Sequence, residues 1–450
     1  MKKIYANKYI KLNRQEFQYL AFENFVPSMG MITTLRFRTK HSSHEIRDAM
    51  RHMLLIYPKL RTFIKPTVFG YKFRILEDNN KLDLLFDDAF AVVHDIIYDS
   101  EEYLIYRREL LNKPFSLKNE LPIRVRYFPD GKYSILLFCI HHIILDGGSW
   151  HHLLNSLISH LNGEKTSIVP LYSPRLATFL LKRPLLKVPQ QILKSYKFFR
   201  KDAREIKDAN IINISKQSSH KFGPIDLYQN ELYKDINSIR SRLRESGYSL
   251  SVLIISAISL TAAHSLRIKQ KNNLISILVS VNLRPYFRDN KFIFGNYVVP
   301  LMIHVFQRHL DNPFLLLKEI SSQLKGKLNR IKKKEDLFRF FIGRTLTFIG
   351  EKNYARIIKL VFINNKVAFP LTFQFSNLGS LDSLNSHGNK AQVYEAIPIS
   401  PSLTPFFTVS SLGGRLIYNY TYPKSDFSRV EIIQFSHILN KKFEEVVNLL

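Results

Sequence analysis

The stretch Tyr133 to Gly163 constrains the fold more than any other. YSILLFCI (Tyr133 to Ile140) reads as a strongly apolar strand, and HHIILDGG follows it as a turn. Trp150, Leu153, Leu154, Leu157, Ile158 and Leu161 then make one apolar helical stripe, with Ser149 read as its cap and Asn162-Gly163 as its end. A strand that feeds a helix through a tight turn points to mixed α/β layers, and the same alternation recurs along the chain. Ser42 with Glu45 signals a helix start, followed at helical spacing by Ile46, Met50, Met53, Leu54 and Tyr57 and closed by Pro58. Another helix is predicted from Asp99 or Ser100 to just before Pro114, and a strand at Ile123 to Phe128 joined to the apolar one by Pro129-Asp130-Gly131. In the second half helices are predicted at 230–246, 250–266, 312–331 and 426–449, and strands near 274–281, 297–306, 369–376, 393–398, 405–411 and 414–421. The organisation expected is two α/β units, 1–170 and 225–450, joined by a basic crossover at 171–224 where prolines break the pattern.

Composition narrows the classes. The 450 residues include 34 Phe and 22 Tyr, enough for a sizeable core, which excludes a disordered or fibrous chain. One cysteine excludes a disulfide framework or a Cys-based zinc module, and Cys139, inside the apolar strand, reads as a small core residue. The basic N-terminus lacks an apolar run behind it, so no secretory signal is predicted and a cytoplasmic setting is the expectation. Ser246 to Leu266 is the longest stretch without a charged residue, but its seven hydroxyl side chains suit a buried core helix better than a membrane span. Lys plus Arg number 66 against 37 Asp plus Glu, a net charge of +29 that favours anionic partners. No nucleic-acid-binding module accompanies that charge, so nucleic acid is not the expected partner.

The turn at 141–149 carries the candidate chemistry. A histidine at a strand end can present a ring nitrogen at the mouth of a cleft, and its pKa near neutrality suits it to take a proton from an attacking hydroxyl or amine. Asp146 can either contact that imidazole or anchor the loop through a distant cation, and Gly147-Gly148 allow a bend or a close approach. His151, His152 and His160 share the following helix without carboxylates at ligating spacing, so no metal site is predicted.

HHIILDG resembles the HHxxxDG signature of the chloramphenicol acetyltransferase-like superfamily, which includes peptide-synthetase condensation domains, alcohol acetyltransferases, polyketide-associated acyltransferases and wax-ester synthases. The likeness extends in family order. Tyr57-Pro58-Lys59-Leu60-Arg61 is similar to "YPxLR", and Pro114-Phe115-Ser116-Leu117 with Leu121-Pro122-Ile123-Arg124 is similar to "PFDL…PLRV". Asn282-Leu283-Arg284-Pro285 with Gly295-Asn296 is similar to "NLRP…GN", and Ser376-Asn377-Leu378-Gly379 is similar to the "SNLG" of the alcohol acetyltransferase branch. The stretches Arg175–Lys207 and 330–366 match nothing in the family.

The resemblance implies two chloramphenicol acetyltransferase-like subdomains in a V-shaped pseudo-dimer with a tunnel between them. It implies His142 as general base, His141 as its support, and Asp146 as a structural acid turned away from the base and paired with Arg284. By position, Ser376, Asn377 or the backbone amide of Gly147, itself a supporting residue, are candidates for the oxyanion or the tunnel wall; Asn282 is a further candidate there, with a structural role as its alternative. The co-substrate expected is acyl-CoA or an acyl carrier protein phosphopantetheine thioester, with no tightly bound cofactor. The acceptor expected is a hydrophobic alcohol or lipid, and the protein is expected to act as a monomer. The alternative is a freestanding condensation enzyme that forms an amide between carrier-bound groups. The two unmatched stretches are basic and apolar together. Ten basic residues face two acidic ones at 175–207, and twelve face three at 323–366. Such segments suit an anionic membrane surface, with a peripheral position on the inner face of the membrane.

Overall fold

The computed structural model describes residues 9–24, 26–67, 70–129, 133–171, 188–212, 224–266, 272–287, 292–335, 349–363, 371–402 and 404–450. The first part of the chain runs β1 (Tyr9–Lys11), α1 (Arg14–Phe22), β2 (Gly30–Phe37), α2 (Ser43–Ile56), β3 (Thr62–Thr67), β4 (Gly70–Ile75), α3 (Asn79–Ala89) and β5 (Phe90–Val92). It continues with α4 (Glu101–Asn112), β6 (Ile123–Phe128), β7 (Ser134–His141) and α5 (Gly147–Leu161). The second part runs α6 (Val188–Glu205), β8 (Asn210–Ile211), β9 (Ile225–Tyr233), α7 (Asn237–Ser246), α8 (Leu250–Ser265), β10 (Asn273–Asn282), β11 (Val298–Phe306) and α9 (Gln307–Leu310). It ends with α10 (Pro313–Lys332), α11 (Glu351–Ile363), β12 (Phe373–Ser380), β13 (Val393–Ile399), β14 (Phe406–Leu412), β15 (Arg415–Pro423) and α12 (Arg429–Val447).

The position of β7 explains its composition. It lies between β2 and β6 in the sheet β13-β2-β7-β6-β5, and all of its residues are buried. On one face Trp150 Nε1 of α5 donates to Thr33 Oγ1 (2.8 Å), and on the other Thr34 Oγ1 meets the Tyr103 hydroxyl of α4 (2.9 Å). Neighbouring strand residues face opposite sides, so both faces of this sheet are covered by helices and a strand inside it must be apolar throughout. The antiparallel register sets Gly30 of β2 opposite His141 and ends the strand at the histidines.

The other large sheet has the order β11-β10-β12-β14-β15-β9, with β8 added to β10 and with β10, β12 and β14 parallel. Helices α10 and α12 pack on α8, which is buried from Val252 to Ala262. The hydroxyls of Ser256, Ser259 and Thr261 donate to carbonyls four residues back at 2.8, 2.8 and 2.7 Å, which satisfies them inside the core. Among the described residues no single helix is long and apolar enough to cross a membrane; α7 and α8 pass that test only as a pair bent by 97°.

Three sequence expectations change. Residues 230–246, expected as one helix, are the end of β9 and then α7, because Ile225–Tyr233 pairs antiparallel along β15 and that pairing overrides its polar, helix-tolerant composition. The cap of α5 is Asp146 rather than Ser149; its carboxylate accepts the Ser149 N–H (2.9 Å), which leaves the serine inside the first turn with its hydroxyl free for other work. Sheet membership also crosses the expected division of the chain: β13, from the second half, pairs with β2 of the first sheet, with Ile397 opposite Thr34. The Pro129-Asp130-Gly131 turn, apart from its proline, and residues 172–187, 336–348 and 364–370 of the basic stretches lie outside the described residues.

Candidate active site

The two histidines at the end of β7 hold opposite tautomers. The His141 Nδ1 accepts the Ile143 N–H (3.0 Å), so its proton resides on Nε2, which donates to Glu23 Oε1 (2.7 Å). The ring is fully buried and meets Phe115 edge-on at 5.6 Å. Both nitrogens of His141 are therefore committed to the scaffold. In His142 the Nδ1–H donates to the Leu145 carbonyl (2.9 Å), an acceptor only, which leaves Nε2 with the lone pair and without a hydrogen-bond partner among the described residues. Tyr19 of α1 stacks on this imidazole with centroids 4.2 Å apart and planes 17° from parallel. The ring lies deep although part of the residue stays accessible. That burial is the largest influence on its ionisation, and it lowers the pKa from 6.5 to about 4 against the opposing hydrogen bonds and the Asp146 charge.

Asp146 makes no hydrogen bond to either imidazole. Oδ1 caps α5, while Oδ2 accepts from Arg284 Nη1 (3.0 Å) and from the Tyr297 N–H (2.7 Å), with the carboxylate 1% exposed. Arg284 spends its fork on the same junction: Nε donates to the Ile293 carbonyl (2.7 Å) and Nη2 to Ser149 Oγ (2.7 Å) and the Gly295 carbonyl (2.9 Å). The Ser149 hydroxyl is bonded to both backbone groups of Gly295, donating to the carbonyl (2.9 Å) and accepting the N–H (2.8 Å). Gly295 sits at φ +138, and a Cβ there would lie 2.6 Å from Lys59 Nζ, so only glycine fits this join. The result is a polar clamp between the turn after β7 and the segment joining β10 to β11.

Gly147 and Gly148 are the first two residues of α5. Helix geometry leaves their N–H groups without intrahelical acceptors, and both residues are partly exposed. A Cβ on Gly147 would lie 2.6 Å from Leu378 Cδ2 and one on Gly148 2.8 Å from Arg284 Nη1, so the glycines permit close approach of β12 and of the clamp. The other candidates are placed differently. Asn282 Oδ1 accepts the Arg284 N–H (3.0 Å) and Nη1 (3.2 Å). Asn377 donates to Ser251 Oγ (3.0 Å) and accepts the Gly379 N–H (2.8 Å), which ties β12 to the start of α8. Ser376 is half-buried on β12. The Cys139 thiol is buried and pushed up to about 12 by that burial, which makes it a poor nucleophile.

Helix α1 supplies residues that the motif pattern did not point to. The Asn13 side chain donates to the Asn296 carbonyl (3.1 Å), and the Asn296 amide donates to the carbonyls of both His142 and Ile143 (2.9 Å each). Glu16, fully buried, pairs with Lys59, while further along the chain Tyr19 covers His142 and Glu23 holds His141. The helix is thus a strut from the β10–β11 connection to the histidine turn. The signal for it was in the sequence: Asn13 and Glu16 form a reciprocal capping box. A cavity of about 260 Å³ opens beside this strut, with Leu20, Glu23, Phe115, Lys118 and Glu351 in its walls.

The sequence matches no family model and no curated protein. Solved structures do match, over nearly the whole chain. The TRI3 trichothecene 15-O-acetyltransferase from Fusarium sporotrichioides is 11% identical, covers 98% of this chain and 95% of its own, and superposes with a TM-score of 0.70. The first condensation domain of the CDA synthetase is 11% identical over 97% of this chain and 96% of its own, with a TM-score of 0.70. The epimerization domain from the third module of tyrocidine synthetase B is 14% identical over 98% and 97%, with a TM-score of 0.64.

Proposed function

We propose, from a chain that has the two-lobed α/β fold of the condensation-domain and chloramphenicol acetyltransferase-like proteins, that this protein is an acyltransferase with His142 as its general base. The fold alone does not select the reaction, since an epimerization domain shares it; the side chains of the site do. The observation that carries it is the fixed tautomer of His142: Nδ1 is spent on the Leu145 carbonyl and Nε2 keeps a free lone pair. In this reading Nε2 takes the proton of an acceptor hydroxyl as its oxygen bonds to the thioester carbonyl. The C–S bond then breaks, and the imidazolium returns the proton to the departing thiolate. The orphan amides of Gly147 and Gly148, at the positive end of α5, suit the oxyanion of the tetrahedral intermediate. Asp146 and Arg284 act on the position of the turn and not on the proton.

The donor in this reading is a coenzyme A or carrier-bound thioester, and the acceptor a hydrophobic or lipid-like alcohol. Amide formation is the second reading, and one observation favours it: two carboxylates, Glu351 and the Glu23 that holds His141, line the cavity beside α1, offset by Lys118, and would suit an ammonium-bearing acceptor. Incubation with a panel of acyl thioesters, alcohols, amines and lipid extracts, read by product mass and released thiol, separates the two. Esters support the first reading and amides the second, while thiol release from none of the thioesters ends both.

The depressed His142 pKa fixes the sign of the pH dependence. The base is competent when neutral, so kcat/KM should hold down to mildly acid pH and fall as pH drops through about 4; an acid limb at 6.5 would contradict the buried, stacked ring. Stability follows the same group: between about 4 and 6.5 the unfolded chain binds a proton that the folded ring excludes, so this contribution is full above 6.5 and is lost as pH falls.

A peripheral membrane position has support from α6, where Leu193 is 59% exposed between polar and basic neighbours, including Lys194 and Lys197. Sedimentation with anionic vesicles at low salt, released at high salt, is the result expected; absence of binding at any salt would end that reading.

A further inference from the structure

At the other end of β7 from the histidines, arginines gather around tyrosine rings. The Arg36 guanidinium lies 4.3, 4.9 and 5.0 Å from the ring centres of Tyr133, Tyr394 and Tyr98. Tyr133 and Tyr394 are nearly parallel, 21° apart with centroids at 6.5 Å, and the Arg36 guanidinium sits to one side of the pair, in reach of both rings. Arg415 of β15 and Arg38 also lie against Tyr394, at 4.7 and 5.5 Å, so three cations share one ring. The residues come from both lobes: β2 and the start of β7 on one side, β15 on the other, with β13 between them.

Cations outnumber carboxylates here: Arg36, Arg38 and Arg415 share the surroundings of Tyr394 with Glu395, which stands opposite Arg36 in the β13–β2 register. Arg36 Nε is buried without a hydrogen-bond partner, and neither Arg36 nor Arg38 has a carboxylate or carbonyl acceptor for its guanidinium among the described residues. Arg415 spends one nitrogen on the Tyr394 carbonyl (2.9 Å). Behind them Arg107, 5% exposed over Tyr103, also has a buried Nε without a partner. Glu395 directs its oxygens to neutral donors, one accepting from the Tyr98 hydroxyl and the other from Gln229 Nε2 (2.9 Å), so its single charge offsets one cation without a hydrogen bond to any of them. The three rings hold the Arg36 guanidinium in place, and its N–H groups, without carboxylate or carbonyl acceptors, suit a planar or tetrahedral oxyanion. Several guanidinium groups gathered around one carboxylate leave an excess of positive charge that a bound anion would offset.

We propose that Arg36, Arg38 and Arg415, arranged around Tyr394, form a binding site for a phosphate ester. Arg36 pairs in register with Ile135, six residues from His141, so the site stands about 20 Å from the histidine turn at the usual strand rise of ~3.4 Å. It is separate from the acyl-transfer chemistry and does not depend on it. The recognised chemistry is the phosphate group itself, carried either on a soluble compound or on a lipid headgroup. Arg36 supplies the preoriented fork, and Arg38, exposed, supplies the charge that draws the anion in.

The test is direct binding by the full chain, titrated with inorganic phosphate, with coenzyme A, and with vesicles containing phosphatidic acid in a neutral lipid background. Saturable binding is expected for at least one of these probes, and the tightest identifies the source. Arg36→Lys keeps the charge but removes the planar fork, and it should weaken that binding about tenfold or more. The Arg38→Gln/Arg415→Gln double variant, which leaves Arg36 in place, should do the same and keeps the test open should Arg36→Lys fail to fold. His142→Ala should bind as the unaltered protein does, which separates this site from the proposed activity. Saturable binding to none of the three probes, or binding unchanged in the folded arginine variants, would overturn the proposal.

Discussion

Asp146→Ala is expected to cost the protein about 3–5 kcal/mol of stability, the range for removing one partner of a buried ion pair. The carboxylate is 1% exposed and Arg284 11%, so the guanidinium left behind stays largely desolvated. The loss is compounded at two backbone groups. The Ser149 N–H loses its helix cap, worth about 1 kcal/mol, and the buried Tyr297 N–H loses its acceptor. These costs share one site and need not add. Chemical denaturation of the variant should show the shift at pH 7. Arg284→Met, which removes the cation instead, strands the carboxylate and should also destabilise, yet it leaves the cap bond in place. A double variant losing both charges should therefore be less damaged than the sum of the two. An Asp146→Ala protein as stable as the unaltered chain would show that the clamp is not what holds the turn.

Much of this junction was legible in the sequence because its parts are local or motif-borne. The strand, the turn and the helix at 134–161 are contiguous, and their apolar periodicity is strong enough to survive any tertiary context. The Asp146–Arg284 pair joins residues 138 apart in sequence, and spacing alone left Asp146 free to face either an imidazole or a cation; the family pattern supplied the partner. Spacing also put the cap of α5 at Ser149, since a serine before an apolar stripe is the usual signal. Asp146 lies a turn earlier and does the capping because Gly147 and Gly148 are already helical. The contributions of α1 were not legible from apolar pattern, because Glu16 and Lys59 satisfy each other in a core where charges are not expected. Its capping box marked the helix, but nothing local indicates that Tyr19 covers an imidazole more than a hundred residues away. The end of the strand β9 is hidden in the sequence for a related reason: its neighbour β15 lies almost two hundred residues on, and pairing of that range leaves little trace in a polar edge strand.

His142→Ala should lower the rate of acyl transfer by about 10²–10⁴, the usual contribution of a positioned general base. The fold should survive, because the scaffold around the turn is held by other groups. His141 keeps Glu23 and Ile143, Asn296 bonds to main-chain carbonyls that alanine retains, and Asp146 keeps Arg284 and Tyr297. What disappears is the Nδ1 bond to Leu145, the stacked ring under Tyr19 and the one imidazole nitrogen of the pair with a free lone pair. His141 cannot substitute, since both of its nitrogens are engaged and its ring is buried. The most direct measurement is the yield of acylated product, by mass, from the unaltered protein and from His142→Ala at matched folded concentration, with an acyl thioester that the unaltered protein turns over. Product is expected from the first and a hundredfold or greater loss from the second. Equal yield from a folded His142→Ala protein would contradict His142 as the general base.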